Sequence, residues 1–174
     1  MPPEHESPVA AIDRELATDP TNADARLRRG EFYYRQCHAF QAVYRVGGCG
    51  PEPFRPAFDQ ARRSLARAVE LAPASPRAWA VKGDLLVDLE HHPEFDVEAL
   101  ASFDRAVALA PADARSWYQR AGVCTRMGDH AGAVVSPRQA IDLEPGYRND
   151  ASWEFPELTD EPGFRKSLAD SAGG

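Results

Sequence analysis

The amino-acid sequence predicts an all-α protein, an α-solenoid built from about three helical hairpins. Apolar residues recur at helical spacing along most of the chain, and four predicted helices end at a proline. A sixteen-residue segment, AVELAPASPRAWAVKG at 68–83, is followed thirty-eight residues later by the similar segment AVALAPADARSWYQRA at 106–121. Repetition of a unit of this size is typical of proteins in which similar units stack and bury one another's apolar faces.

The four prolines divide the chain into repeats, because proline cannot continue a helix. Successive prolines are separated by 53, 38 and 34 residues, so the first two repeats carry additional residues. The prolines are Pro20, Pro73, Pro111 and Pro145, and the predicted repeats cover about 22–73, 76–111 and 114–145.

Small residues and one aromatic residue recur at fixed places in each repeat. Small side chains let two antiparallel helices approach closely, and the tryptophan fills the space between neighbouring repeats. With the 34-residue period, this spacing resembles the tetratricopeptide repeat, a helix-turn-helix unit. The resemblance covers roughly residues 8–147 and implies a right-handed solenoid. In the last repeat the pattern consists of Trp117, Ala121, Gly128, Ala133, Ala140 and Pro145.

The first two repeats depart from this period in length. Four additional residues fall in LEHHPEFDVE, where we expect a longer turn. Nineteen more lie in QCHAFQAVYRVGGCGPEPFRPAF, where GGCGPEP breaks the helical pattern. This insertion predicts a hairpin of two lengthened helices that projects about two to three turns beyond its neighbours.

Both ends of the array are predicted to be caps. Ser7 followed by Pro8 signals a helix start, so we expect a capping helix at 8–18 that covers the first repeat. Residues 1–7 are predicted to be disordered, and residues 148–174 to form a closing segment and tail. Terminal units of a solenoid are atypical because their outer face meets water.

Pro137 departs from the family pattern, which usually has a large apolar residue at this place in the second helix of the repeat. A proline there removes one backbone hydrogen bond and kinks or splits a helix, at a cost of about 3 kcal/mol. We therefore expect a distorted last hairpin.

Composition narrows the class of function. A net charge of −7 disfavours nucleic acid as a partner, and no apolar run is long enough to cross a bilayer. Three cysteines without paired spacing are typical of reduced thiols, so we expect a cytoplasmic protein. No phosphate-binding glycine loop or catalytic set is recognisable, which predicts a protein without cofactor, metal or catalytic residue.

The resemblance implies that the first helix of each hairpin lines a concave groove that holds a segment of a partner protein or peptide. Such a groove would be mixed in character, with arginines for carboxylates and tyrosines for apolar contact. The predicted groove residues are Leu27, Glu31 and Tyr34, then Arg77, Ala80, Asp84 and Asp88, then Arg115, Tyr118, Gly122 and Thr125.

One subclass of the family clamps the acidic tails of heat-shock chaperones with basic and amide side chains. Of the clamp positions here, only Arg115 has the required charge, and Glu31 would repel a carboxylate. A chaperone-tail adaptor is therefore disfavoured. The clamp positions are Leu27, Glu31, Val81, Arg115 and Gln119.

Two other functions remain open. Aromatic residues concentrate in the first hairpin, which could associate with a second copy of the chain through residues 32–58. A small metal- or thiol-dependent enzyme is the alternative of a different class. Its candidate groups are Glu90, His91, His92, Glu94 and Asp96, together with Cys37, His38 and Cys49.

Overall fold

The computed structural model describes residues 7–44, 55–89, 93–155 and 162. Within this part of the chain it contains helices and no strand, which confirms the all-α prediction. The chain divides into two compact units, one up to Leu85 and one from Leu86. The helices are α1 (Pro8–Thr18), α2 (Ala23–Tyr44), α3 (Arg55–Leu71), α4 (Pro76–Leu89), α5 (Pro93–Leu109), α6 (Ala114–Met127), α7 (His130–Leu143) and α8 (Tyr147–Glu154).

Three hairpins follow one another, and α2, α4 and α6 are their first helices while α3, α5 and α7 are their second helices. Close packing inside a hairpin needs small residues. At Gly30 of α2, an added Cβ atom would lie 2.5 Å from Cγ of Leu65 on α3. In the second unit, Phe103 is fully buried against Leu86 and Val123. Each hairpin is therefore held by an apolar interior of helical residues facing one another.

A side-chain hydrogen bond closes the turn that leads into each hairpin. The donor lies six residues after the proline, and the acceptor is the proline carbonyl oxygen. The donor is the indole N–H of a tryptophan in two repeats and the guanidinium of an arginine in the first repeat. The bonds are Trp79 Nε1 to Pro73 O at 3.0 Å, Trp117 Nε1 to Pro111 O at 2.9 Å, and Arg26 Nη2 to Pro20 O at 3.2 Å.

An arginine on the first helix links three helices in two of the repeats, in an arrangement called here the arginine clasp. Its Nε donates to an aspartate sixteen residues earlier, on the preceding helix. Its Nη1 donates to a buried serine on the following second helix. The two clasps are Arg29 with Asp13 at 2.7 Å and Ser64 at 3.0 Å, and Arg120 with Asp104 and Ser136, both at 2.6 Å.

The middle repeat lacks the residues of the clasp. Lys82 occupies the place of the arginine, and Ala66, sixteen residues earlier, occupies the place of the aspartate. The Lys82 ammonium lies 5.5 Å from the centroid of the Trp79 ring, a cation–π contact. The third member, Ser102, donates to the carbonyl oxygen of Glu98 in its own helix.

The last hairpin turns at Gly128 and continues through Pro137. Gly128 has φ 72°, a left-handed conformation that ends α6 and favours glycine. Asp129 caps α7 by accepting a hydrogen bond from Gly132 N at 3.1 Å. Pro137 does not split α7, which is one helix with the proline ring fully buried within it. Burial of the ring offsets part of the cost of the lost hydrogen bond.

One expectation about the additional residues needs correction, and the other falls partly outside the described residues. The second hairpin has a short connection, because α4 ends at Leu89 and α5 begins at Pro93. Proline at the first position and acidic residues in the first turn favour a helix start there, so additional residues lengthen α5. In the first hairpin, α2 has 22 residues, whereas α3 has 17, the same as α5. Residues 45–54 lie outside the described residues.

The ends of the array are helical. Helix α1 buries Ile12 and Leu16, and Arg28 of α2 forms an ion pair with Glu15 of α1. Helix α1 also provides Asp13 of the first clasp, and α5 provides Asp104 of the second clasp. The predicted disordered segment 1–7 lies outside the described residues except for Ser7. The predicted tail beyond residue 155 also lies outside them except for Pro162.

Installing the missing clasp residues should stabilise the chain. In the double variant Ala66→Asp/Lys82→Arg, we expect a favourable coupling of about 1 kcal/mol, because the new guanidinium gains a carboxylate at the spacing used by the other two clasps. Urea unfolding of the wild type, both single variants and the double variant gives this coupling directly. Purely additive effects would contradict the equivalence of the three repeats.

The cap of α7 should make stability depend on pH. The hydrogen bond from Gly132 N lowers the pKa of Asp129, so its contribution is present above the unfolded pKa of about 3.9 and is lost as pH falls through the lower folded value. We expect Asp129→Ala to cost about 1 kcal/mol at pH 7 and less at pH 3. Denaturant unfolding at both pH values tests this, and Asp129→Asn, which keeps an acceptor, is the control. A pH-independent difference between the wild type and Asp129→Asn would contradict the prediction.

Candidate protein-binding surface

In the first unit, an ion pair joins two of the predicted groove residues. Arg77 Nη2 lies 2.7 Å from Glu31 Oε1. The Glu31 side chain is 14% exposed and the Arg77 side chain is 67% exposed, so the arginine covers the carboxylate. The structure thus brings α2 and the start of α4 together through opposite charges. At this place the surface presents a guanidinium whose charge is already compensated.

Other predicted groove residues of this unit differ in accessibility. Tyr34 is half-buried, and its ring centroid lies 4.6 Å from that of His38. Ala80 is also half-buried. By contrast, Leu27 is buried, and Asp84 is only 2% exposed. Leu27 and Asp84 are therefore not part of an accessible surface, because their side chains point into the packed interior of the helices.

In the second unit, helix α6 carries the accessible candidates. Arg115 is exposed near its beginning, while Gly122 and Thr125 are half-buried further along. The Thr125 hydroxyl donates to the carbonyl oxygen of Ala121 at 3.0 Å, so its outward oxygen remains able to accept. Asp88, at the end of α4, is half-buried. These side chains give α6 one polar face at the surface.

Tyr118 is not part of that face, which corrects the sequence-based prediction. Its ring is 7% exposed and stacks on Tyr147 of α8 with 4.7 Å between the centroids. Phe155, directly after α8, packs against it at 5.6 Å. The sequence pattern placed Tyr118 correctly on α6, but its ring packs against apolar residues of the closing segment and is buried there.

The hydroxyl of Tyr118 is buried without a hydrogen-bond partner in the described part of the chain. Burial raises the pKa of Tyr118, and the carboxylates of Glu154 and Asp150 raise it further. The phenol therefore stays neutral at physiological pH. Glu154, at the exposed end of α8, is the carboxylate that acts most strongly on this hydroxyl.

The groups considered for an enzyme do not assemble a site among the described residues. Burial raises the pKa of Cys37 and of Cys124 to about 11, so both thiols stay protonated. Asp96 is an ion-pair partner of Arg126 at 2.7 Å. No metal-binding group of three side chains occurs within the described ranges. Cys49, Glu90, His91 and His92 lie outside them.

The aromatic first hairpin is described only in part. Phe32 and Tyr33 meet edge to face at 5.4 Å, and the guanidinium of Arg29 lies 5.1 Å above the Tyr33 ring. Phe40, Tyr44 and Phe54 carry side chains outside the described residues. Among the described helices, none is long and apolar enough to cross a membrane.

Sequence reasoning missed the polar contacts that orient the first helices. Their signal was nevertheless present as fixed spacing, with a donor six residues after Pro20, Pro73 and Pro111 and an aspartate sixteen residues before each clasp arginine. Arg26 is the least recognisable of them, because it replaces a tryptophan by a chemically different donor. The Arg126 contact to Asp96 spans thirty residues and has no repeated counterpart in the described contacts.

The hairpins, their prolines and their small residues define an all-α helical-repeat protein. The family model of the tetratricopeptide repeat matches residues 58–95 and 98–146, together half of the chain. The chain belongs to the tetratricopeptide-repeat family. The comparison with curated protein sequences gives no match.

Solved structures of other repeat proteins are similar in fold. The crystal structure of MamA has a TM-score of 0.66 at 22% identity, covering 93% of this chain and 81% of that one. YrrB, a TPR protein with an unusual peptide-binding site, gives 0.64 at 20% identity, covering 93% and 71%. TTC0263, a thermophilic TPR protein of Thermus thermophilus, gives 0.57 at 18%, covering 94% and 71%. Identities this low show the fold alone.

Substitutions at Tyr118 should separate a core role from a surface role. We expect Tyr118→Phe to leave stability unchanged or slightly higher, because it removes only an unpartnered buried hydroxyl. Tyr118→Ala should cost about 3 kcal/mol through the cavity left beneath α8. Thermal and urea unfolding of both variants measures the difference. A stable Tyr118→Ala variant would show that the ring is not part of the core.

Proposed function

We propose that this protein is a non-catalytic interaction scaffold that binds a partner peptide or protein segment along the accessible face of its first helices. Membership of the tetratricopeptide-repeat family supports the general role, since such repeats serve protein–protein interaction. The peptide-binding site of YrrB, a protein of similar fold, favours a peptide as the occupant. Each unit contributes its own part of the surface.

The observation that carries the proposal is that two arginines on first helices keep their side chains at the surface. Arg77 and Arg115 are both exposed, whereas the clasp arginines Arg29 and Arg120 are largely buried. Exposed arginine is well suited to a partner because its planar group can bind a carboxylate through two hydrogen bonds. We infer that the accessible face of the first unit comprises Tyr34, Arg77 and Ala80, and that the accessible face of the second unit comprises Asp88, Arg115, Gly122 and Thr125.

Self-association through residues 32–58 stays a prediction, as does the cytoplasmic location. Phe32, Tyr33 and Tyr34 are half-buried, and their rings contact one another or His38 on the same helix. A concentration-dependent mass in sedimentation experiments would favour self-association over binding of a different protein.

The proposal is tested by affinity capture from the lysate of the source organism with each part of the surface changed separately. We expect Arg115→Ala to reduce capture of a specific partner about tenfold, the loss of one charged hydrogen-bonded contact. Arg77→Ala reports on the first unit in the same way. Purified partner is then titrated against each variant by calorimetry.

Matched controls remove the same charge from second helices. Arg138→Ala is the control in the second unit, and Arg67→Ala in the first, since both arginines are exposed and each forms a surface ion pair with a near neighbour in its own helix. Equal capture by Arg115→Ala and Arg138→Ala, together with equal capture by Arg77→Ala and Arg67→Ala, would place the binding surface elsewhere. Circular dichroism confirms that all four variants keep the wild-type helicity.

A further inference from the structure

The exposed side of α5 is apolar along its middle and charged along one edge. Val97 is 63% exposed, more than any other large hydrophobic residue in the described part of the chain. Ala101 and Ala108 are exposed on the same side of the helix, one turn and about three turns further on. These three residues are called here the α5 stripe. Glu94, before the stripe, and Arg105, within its length, are exposed as well.

The repeat itself does not require apolar residues at these three positions. Helices α3 and α5 have the same length and are each followed at the same distance by a proline, which sets a register of thirty-eight residues between them. In this register, each residue of the α5 stripe corresponds to a charged residue of α3. The corresponding pairs are Asp59 and Val97, Arg63 and Ala101, and Glu70 and Ala108. The apolar stripe is therefore a property of α5 and not of second helices in general.

Arg105 lacks the acidic neighbour that its equivalent on α3 has. That equivalent, Arg67, forms an ion pair with Glu70 at 2.8 Å. In α5 the place of Glu70 is taken by Ala108, and Arg105 forms no ion pair within the described ranges. The other residues three or four positions away are also uncharged, namely Ala101, Ser102 and Leu109. An exposed guanidinium between alanines is thus accessible to a carboxylate of another molecule.

A second copy of α5 presents that carboxylate at a matching distance. Glu94 and Arg105 are eleven residues apart, which is about three helical turns, so both lie along the same edge of the stripe. They are separated by about 16 Å along the helix axis. When two copies of α5 meet antiparallel about a two-fold axis, Glu94 of each copy comes beside Arg105 of the other. Val97 and Ala101 then lie on either side of the axis, where their small size allows the helices to approach closely.

We propose that this protein forms a two-fold symmetric homodimer in which the α5 stripes of two copies pack antiparallel. Two symmetric ion pairs between Glu94 and Arg105 set the orientation, because a parallel arrangement in register would bring like charges together. The opposite side of α5 keeps its contacts, since Phe103 packs there against Val123 of α6. The pairing goes beyond the proposed function, does not use residues 32–58, and gives the dimer two copies of the binding surface.

Sedimentation equilibrium of the full chain measures the association. The concentrations run from about 1 µM to about 500 µM, because an interface of one helix per copy is small and its dimer is weak. We expect a monomer–dimer equilibrium that weakens as the salt concentration rises. Val97→Lys should weaken it about tenfold or more, since two like charges then meet near the two-fold axis. A monomer at every concentration, or a dimer indifferent to Val97→Lys, would overturn the inference.

Charge reversal distinguishes this pairing from any other self-association. Arg105→Glu and Glu94→Arg should each weaken dimerisation about tenfold, because each variant alone brings like charges together at two symmetric places. An equimolar mixture of the two variants should dimerise about as well as the wild type, since opposite charges then meet at both places of the mixed dimer. A mixture that associates no better than its components would show that Glu94 and Arg105 do not meet.

Arg138→Glu is the matched control. Arg138 is an exposed arginine of α7, a second helix of the same unit, and this substitution changes the net charge by the same amount as Arg105→Glu. We expect it to dimerise as the wild type does. Equal weakening by both variants would make net charge the cause, and the inference would be wrong. Circular dichroism confirms that every variant keeps the wild-type helicity.

Discussion

The orientation of α2 and α6 depends on arginines that bind two other helices at once. A guanidinium has five N–H donors in a rigid plane, so one side chain can satisfy a carboxylate on the preceding helix and a hydroxyl on the following one. Arg29 and Arg120 do this with nearly the same geometry. Apolar packing alone is not directional, whereas these hydrogen bonds fix the rotation of the helix about its axis. That rotation decides which face remains accessible.

The turns between hairpins are held by a second repeated hydrogen bond. Pro20, Pro73 and Pro111 follow α1, α3 and α5, and each proline carbonyl oxygen accepts a hydrogen bond from the side chain six residues later. The acceptor would otherwise be an unpaired group at a helix end. Because Trp79 and Trp117 use their indole N–H in this way, their rings are held at the hairpin junction. The proline therefore both stops one helix and positions the next.

Internal pairing also determines which charges can reach a partner. Glu31 is a projected groove residue, but its carboxylate is covered by Arg77. Tyrosine often dominates protein interfaces, yet the ring of Tyr118 is buried against Tyr147 of α8. The accessible face of α6 is thereby reduced to a few polar groups and a glycine.

The sequence by itself determined the fold class, the family and the order of helices. The signals were local: prolines that stop helices, small residues at fixed spacing and a repeated segment. The structure follows such signals because they act directly on backbone geometry. Continuity of α7 through Pro137 and the helical start at Pro93 were decided by tertiary packing and by capping, which a pattern of residue types does not contain. Burial of Leu27, Asp84 and Tyr118 likewise depends on what the neighbouring helices present. Only the folded structure shows whether a side chain on the expected face is accessible. Its accessibility depends on the groups that already pack against it or pair with it.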